Sequence, residues 1–251
     1  MQNEQSLREE ICQVGADLFN RGYTTGTAGN ISSRLEDGWL ITPTDACLGH
    51  LQPSRIAKVN RDGEWVSGDK PSKTLLLHRQ IYDRNPEAQG VVHTHSTHLV
   101  QLTLAGVWQR DSILPPLTPY QVMKVGRIPL IAYRRPGHAE VAEQVAALAN
   151  DVRGVMLERL GPVIWGTSVS SSSFSLEALD ETARLWLNCT TQPAPLPESA
   201  VLELCEHFTT RWQFTAVPYN REQSMTKTLT AAGHTNCLHS RKRGDPGCRR
   251  V

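Results

Sequence analysis

The chain has 251 residues, a formal net charge of +1 at pH 7 and 39% hydrophobic residues. A chain of this length can bury a full core in one compact domain, and its balanced charge gives no general attraction for nucleic acid or an anionic membrane. No apolar run approaches the roughly 20 residues of a membrane-spanning helix, the polar start MQNEQSLREE is unlike a secretion signal, and six scattered cysteines are typical of free thiols, so we expect a cytoplasmic protein.

Helical and strand-like patterns alternate along the chain. The first is an amphipathic helix, because Leu7, Ile11, Val14 and Leu18 recur at three- or four-residue intervals and Gly22 can end the helix in a left-handed conformation. The other elements predicted from periodicity, capping and turn residues are strands at 39–44, 90–95, 128–133, 155–158 and 162–165, and helices at 68–85, 96–106, 138–151, 175–189 and 193–212.

These elements indicate a mixed α/β fold in one domain, residues 1–212. The composition changes after this point, since residues 213–251 have weak periodicity and more basic than acidic side chains. We therefore expect an irregular basic C-terminal tail.

A pair of histidines is the first candidate for chemistry. In VVHTHSTH (91–98), His93 and His95 are two residues apart after an apolar pair. Residues two apart on a strand face the same side, so both imidazoles can approach one metal ion, with Thr94 facing away. A bare pair of this kind is more often two ordinary histidines, and a metal site needs further ligands.

Three further stretches offer groups that suit an anion. Thr27 and Asn30 lie in the glycine-containing turn GTAGNIS, and Thr44 lies in the turn TPT. Ser72 and Lys73 of KPSK precede or open a predicted helix, where exposed amides and the helix dipole favour a phosphate. Taken singly, each stretch is more often a turn or a helix cap.

The order of these motifs is more informative than any one of them. GTAGNIS, ITPT, PSK, VVHTHS, TPY and LGPVIWG follow one another from about Leu7 to Cys189, and this series resembles the class II aldolase/adducin family. RGYTTGTAGN, TPTDACLG, DGEWVSGDKPSK, HTHST and PPLTPYQVM are most similar to the decarboxylases of that family that act on 3-oxo-tetronate 4-phosphates. The resemblance implies a three-layer α/β/α sandwich with a mainly antiparallel central sheet. It also implies a homotetramer with interfacial active sites, a divalent metal, usually Zn²⁺, and a phosphorylated sugar-acid substrate.

The resemblance assigns roles to individual residues. His93 and His95 match two metal ligands, and Tyr120 of LTPYQ matches a tyrosine that donates a proton. The positions that match the family's substrate-phosphate contacts are Thr27, Asn30, Thr44, Ser72 and Lys73.

Two positions depart from the family pattern. Thr74 stands where the family has a glutamate that acts as acid/base and metal ligand, and Leu160 of ERLGP stands where it has a third metal histidine. Leucine cannot coordinate a metal, and a neutral hydroxyl is a poor zinc ligand. The alternative donors are Glu158, which a continuous strand would place about 7 Å from Leu160, His138 and His98, although His98 begins a helix-like segment and is more typical of a surface or packing residue.

The departures affect possible reactions differently. Aldol cleavage needs a base to remove a hydroxyl proton, which Thr74 cannot do near neutral pH, whereas decarboxylation needs no such base. We therefore expect metal-dependent decarboxylation of a 3-oxo-tetronate 4-phosphate to dihydroxyacetone phosphate and CO₂, with activity reduced by Thr74 and Leu160. The alternatives are a fuculose-phosphate-type aldolase and an inactive member of the family that acts as a binding or structural protein.

Overall fold

The computed structural model describes residues 3–208, 210 and 212 of the chain. Its strands are β1 (Asn30–Leu35), β2 (Gly38–Ile41), β3 (Ala57–Asn60), β4 (Trp65–Ser67), β5 (Gly90–His93), β6 (Leu130–Ile131), β7 (Gly154–Leu157) and β8 (Gly161–Gly166). Its α-helices are α1 (Glu4–Asn20), α2 (Leu75–Arg84), α3 (Thr97–Ala105), α4 (Pro119–Lys124), α5 (Ala139–Leu148), α6 (Val169–Asn188) and α7 (Glu198–His207). The predicted tail, 213–251, lies outside the described residues.

All eight strands form one sheet in the order β4-β3-β2-β1-β5-β8-β7-β6. Neighbouring strands are antiparallel from β4 across to β7, and β7 and β6 are parallel. The parallel pair arises because α5 carries the chain from the end of β6 back to the start of β7, as a crossover connection does. The sheet is therefore mixed, and not the mainly antiparallel sheet that the family resemblance implied.

Each face of the sheet is covered by its own layer of helices. Alternate residues of β5 point to opposite layers, so that Val92 packs in one apolar cluster and Val91 in the other. The helices of the first layer contribute Leu18 of α1, Leu99 of α3 and Leu176 of α6, and those of the second contribute Ile81 of α2 and Val145 of α5. These layers form the expected α/β/α sandwich.

Two of the predicted elements that carry candidate site residues are shorter than their sequence patterns suggested. The helix predicted at 68–85 begins only at Leu75, because Gly68 has a φ of 77° and Pro71 forms an isolated bridge with Pro43. The strand predicted at 90–95 ends at His93. His95 therefore lies beyond the strand, and the argument that placed both histidines on one strand face was wrong.

The central strand β1 was not predicted, because its sequence NISSRL is polar. Its buried polar groups have partners elsewhere in the fold. The Ser32 hydroxyl oxygen lies 2.7 Å from both His78 Nδ1 and the Tyr82 hydroxyl. The Arg34 guanidinium donates to three backbone carbonyls. A polar strand can occupy the middle of a sheet when its hydrogen bonds are satisfied in this way.

Two further expectations were tested by the described residues. Among the helices of the described residues, none is both long and apolar enough to span a bilayer. The cysteines that the structure describes are all free thiols: Cys12, Cys47, Cys189 and Cys205. The other two, Cys237 and Cys248, lie outside the described residues.

Gly161, the first residue of β8, is expected to be sensitive to substitution. It has a φ of 142°, and an added Cβ would lie 1.9 Å from the Thr94 carbonyl oxygen. We expect Gly161→Ala to lower the free energy of unfolding by more than the roughly 1–3 kcal/mol of backbone strain alone, as measured by urea denaturation. Gly106→Ala is the matched control, because Gly106 has a φ of 113° but open space around it. Equal losses in the two variants would contradict the clash.

Candidate active site

His93 is held in a defined orientation at the end of β5. Its side chain is only 4% exposed, and its Nδ1 lies 2.8 Å from the Pro162 carbonyl oxygen. A carbonyl can only accept a hydrogen bond, so Nδ1 carries the proton and Nε2 keeps its lone pair. This is the arrangement in which a metal-binding histidine is oriented by its second nitrogen.

His95 lies beside His93 although it has left the strand. The ring centroids are 5.1 Å apart, with an angle of 60° between the ring planes, and the His95 side chain is half-buried. Burial and the neighbouring His95 lower the pKa of His93 to about 4, and burial lowers the pKa of His95. Both rings are therefore neutral at pH 7, the state in which imidazole binds a metal.

A small cavity of about 100 Å³ adjoins His93. Lys73, Thr74 and Leu160 line this cavity, so the two positions that depart from the family pattern lie at the predicted metal ligand. The rest of its wall is largely apolar and includes Leu76, Leu77, Ile131, Val141, Ala142 and Leu157. The surroundings of His93 are thus poorer in metal donors than the family pattern requires.

The donors around this cavity do not complete a metal centre. The Thr74 and Ser72 hydroxyl oxygens lie 2.9 Å apart, and Leu160 packs against a buried apolar cluster. Within residues 3–208, 210 and 212, no three His, Cys, Asp or Glu side chains lie close enough together to hold an ion. Protein zinc sites normally use at least three protein ligands, so the two imidazoles fit only part of such a site.

Glu158 does not fill the missing position. It was considered on the assumption of a continuous strand, but residues 158–160 form the turn between β7 and β8, with Arg159 at a φ of 63°. In that turn, a Glu158 carboxylate oxygen accepts the Tyr133 backbone N–H at 2.9 Å. His138 also lines the cavity, and its Nδ1 is buried without a hydrogen-bond partner.

Several predicted phosphate-binding residues lie around the same end of the sheet. Asn30 is opposite His93 in the β1–β5 register, is 6% exposed and has a buried Oδ1 atom without a partner. Thr44 and Ser72 lie on two neighbouring segments, since the Thr44 N–H donates to Lys70 and the Ser72 N–H donates to Thr42.

The last two predicted phosphate contacts are exposed. The Lys73 side chain lines the His93 cavity and is exposed. Thr27 is exposed on the loop before β1, and this loop passes close to β5, where a Cβ on Gly29 would lie 2.7 Å from the His93 carbonyl oxygen. Both side chains are therefore accessible to a ligand at this end of the sheet.

Tyr120 is not part of this group within one chain. It is 59% exposed and borders a different pocket, together with Gly166 and Phe174. Gly166 pairs with Gly90 at the opposite end of β5 from His93, about 10 Å away along the strand. Within one chain, Tyr120 and His93 therefore lie toward opposite ends of β5.

A buried histidine behind the site was missed at the sequence level. His78 is fully buried, its Nδ1 contacts Ser32 and its Nε2 has no partner. Burial, with a smaller effect of His93, lowers its pKa to about 3. The four-residue spacing of His78 and Tyr82 puts both on one face of α2, but their contacts are with Ser32 of β1, a strand that was not predicted.

The low pKa of His78 predicts acid sensitivity of the fold. An unfolded histidine takes up a proton near pH 6.5, whereas folded His78 stays neutral down to about pH 3, so stability falls as the pH drops below 6.5. His78 alone contributes on the order of 2 kcal/mol of this loss at pH 5. In urea denaturation with a chelator, His78→Gln should shrink the difference between pH 7 and pH 5, whereas the exposed His50→Gln should not. An unchanged difference in His78→Gln would contradict this assignment.

Comparisons with known proteins agree with the fold and with the family resemblance. A model of the class II aldolase and adducin N-terminal domain matches residues 9–187. The chain is 65% identical over 217 residues to the 3-oxo-tetronate 4-phosphate decarboxylase of Cupriavidus necator, covering 84% of this chain and 100% of that protein. It is 29% identical over 180 residues to the L-fuculose phosphate aldolase of Methanocaldococcus jannaschii, covering 72% of this chain and 95% of that protein.

A solved crystal structure is also similar to this chain in fold. The crystal structure of YgbL from Klebsiella pneumoniae matches with a TM-score of 0.78 and 43% sequence identity, over 81% of this chain and 100% of that chain. The family model covers well over half of the chain, and the members of this family are typically dependent on a divalent metal. The chain belongs to the class II aldolase/adducin family.

Proposed function

We propose that the protein is a carbon–carbon lyase that decarboxylates 3-oxo-tetronate 4-phosphate to dihydroxyacetone phosphate and CO₂, at a rate limited by its incomplete metal site. The observation that supports this most strongly is the 65% identity to a decarboxylase of that name along that protein's whole length. The family resemblance also assigns two metal-binding histidines to His93 and His95 and the phosphate contacts to residues that include Ser72 and Lys73.

The phosphate is expected to bind where α2 begins. The first amides of a helix lack partners within the helix and attract anions, and α2 starts at Leu75, directly after Ser72, Lys73 and Thr74. The Ser72 hydroxyl can donate to a phosphate oxygen, and the Lys73 ammonium supplies positive charge. Binding at this point places the remainder of the substrate toward the His93 cavity, which Lys73 also lines.

The reaction requires stabilisation of negative charge. Loss of CO₂ from a 3-oxo acid leaves an electron pair that is shared between C2 and the oxygen on C3, and protonation at C2 then gives dihydroxyacetone phosphate. In the family a divalent ion, usually zinc, stabilises that charge. The donors of this chain do not complete such a centre, so charge stabilisation depends more on the buried Asn30 amide, and we expect slow turnover.

Thr74 favours decarboxylation over aldol cleavage. Its hydroxyl cannot remove a substrate proton near neutral pH, and Ser72, its neighbour at 2.9 Å, is not a base. Aldol cleavage is the second candidate only because L-fuculose phosphate aldolases are also relatives, at lower identity. A cytoplasmic homotetramer is the expected form, with Tyr120 of one copy reaching the His93 cavity of the next.

The direct test is to supply 3-oxo-tetronate 4-phosphate and to measure CO₂ and dihydroxyacetone phosphate. Lys73→Ala should raise KM at least about tenfold, because a charged hydrogen bond to the phosphate is lost. Arg84→Ala, a change of an exposed cation in the last turn of the same helix, is the control and should have little effect. Phosphate-dependent binding without any CO₂ release would instead favour an inactive binding protein.

A further inference from the structure

One wall of the His93 cavity is the loop between β6 and α5. Residues 132–138 of this loop line the cavity. The Arg135 carbonyl oxygen accepts the backbone N–H of the residue three positions later at 3.1 Å, and between them lie Pro136 and Gly137, which has a φ of 79°. A proline followed by a glycine with a positive φ is typical of a type II turn, so the loop holds Arg135 on a backbone of defined shape.

The cavity has more cationic than anionic side chains on its wall. The cations are Lys73, Arg134 and Arg135, and the carboxylate is Glu158, which already accepts a backbone N–H. Arg134 is paired with Glu140, through two hydrogen bonds of 2.9 Å and 3.2 Å. In the part of the chain that the structure describes, neither Lys73 nor Arg135 forms an ion pair with a carboxylate. The cavity therefore offers two unpaired positive charges to an anionic ligand.

The substrate of the proposed function carries an anionic group at each end. Its phosphate is on C4 and its carboxylate is on C1. Lys73 directly precedes the start of α2, where the phosphate is expected to bind. The planar guanidinium of Arg135 suits the carboxylate, because it can donate two parallel N–H bonds to the two oxygens. The N-terminus of α5, which follows this loop and has no side-chain cap, further favours negative charge here.

We propose that Arg135 binds the C1 carboxylate of the substrate, and that it thereby selects sugar-acid phosphates over sugar phosphates that end in a neutral hydroxyl group. The proposal rests on the proposed function for the class of ligand. When the C1–C2 bond breaks, its electron pair passes to C2 and the C3 oxygen, and the carboxylate leaves as neutral CO₂. The contact with Arg135 is therefore stronger in the bound substrate than in the transition state, so Arg135 contributes to selection rather than to rate.

The test is isothermal titration calorimetry of the full chain, in the presence of a chelator, with two compounds that cannot lose CO₂. Erythronate 4-phosphate has the C1 carboxylate but no ketone, and erythritol 4-phosphate has a hydroxyl group on C1 instead. We expect the unmodified chain to bind the acid at least about tenfold more tightly, as a charged hydrogen bond predicts. In Arg135→Gln, the two Kd values should agree within about twofold.

Two further variants separate this contact from its surroundings. Arg134→Gln is the matched control, because Arg134 lines the same cavity but is paired with Glu140, and it should keep the preference for the acid. Lys73→Ala should weaken the binding of both compounds by a similar factor, because the phosphate is common to them.

Two results would overturn the proposal. One is an unmodified chain that does not bind the acid more tightly than the alcohol, and the other is an equal loss for both compounds in Arg135→Gln, which would place Arg135 at the phosphate. In turnover assays, Arg135→Gln should raise KM at least about tenfold without lowering kcat, whereas a merely structural role would lower kcat. Absent CO₂ release with an intact preference that depends on Arg135 would refute only the proposed function. CO₂ release without that preference would refute only this inference.

Discussion

The double substitution Thr74→Glu with Leu160→His is expected to give a protein that retains about one zinc ion per chain and releases CO₂ at least about tenfold faster. Both positions lie on the wall of the His93 cavity. The new imidazole and carboxylate would join the two existing imidazoles to make four protein donors, a number that suits zinc. A tenfold gain in rate corresponds to about 1.4 kcal/mol of additional stabilisation of the transition state.

The single variants separate the two contributions. Leu160→His should account for most of the gain in metal content, because imidazole is a strong zinc ligand and residue 160 borders the cavity. Leu160→Ile, which changes shape without adding a donor, is the control. Metal analysis and CO₂ release are measured on the same samples. If the double variant gains no zinc, then residues 74 and 160 do not face the His93 and His95 pair as inferred.

Periodicity identified the elements whose burial depends on apolar side chains. The helix predicted from Leu7, Ile11, Val14 and Leu18 is present as α1 and buries all four, and Gly22 follows it with a φ of 80°. Such elements can be predicted from the sequence because their stability comes from an apolar face, whose residues recur at regular intervals.

The polar central strand β1 could not be predicted from apolar periodicity. β1 is stabilised by hydrogen bonds from Ser32 and Arg34 to α2 and the residues that follow it. Those partners are about 50 residues away in sequence, so no local sequence pattern indicates them. The same limit explains why His78 was missed, since its role depends on Ser32 in that strand.

The sequence identified individual residues of the candidate site but not how they are arranged in space. The order of the motifs identified His93, His95, Asn30 and Lys73, and the fold brings these toward one end of the sheet. Sequence spacing could not show that Tyr120 lies at the other end of β5. That separation depends on which strands pair and in which register, and it is the physical reason to expect a site shared between copies.

Mixed oligomers of two inactive variants are expected to recover activity. Tyr120→Phe and Lys73→Ala damage opposite ends of the sheet, so each variant alone should lose most of its CO₂ release at substrate concentrations well below KM. In a head-to-tail ring, each site combines the His93 end of one copy with the Tyr120 end of the next. When both variants are mixed equally before assembly, about a quarter of the sites receive two intact halves by chance.

The recovered rate should therefore approach about a quarter of that of the unmodified protein. Tyr120 is largely exposed, so the loss of its hydroxyl should leave the fold unchanged, which circular dichroism can check. Mixing the two variants after each has assembled is the control and should give no recovery while subunits do not exchange. If co-assembled variants stay inactive, or if Tyr120→Phe alone keeps full activity, Tyr120 does not act across an interface. Recovery of activity would instead show that Tyr120, which lies toward the far end of β5 from His93, acts through a second copy of the chain.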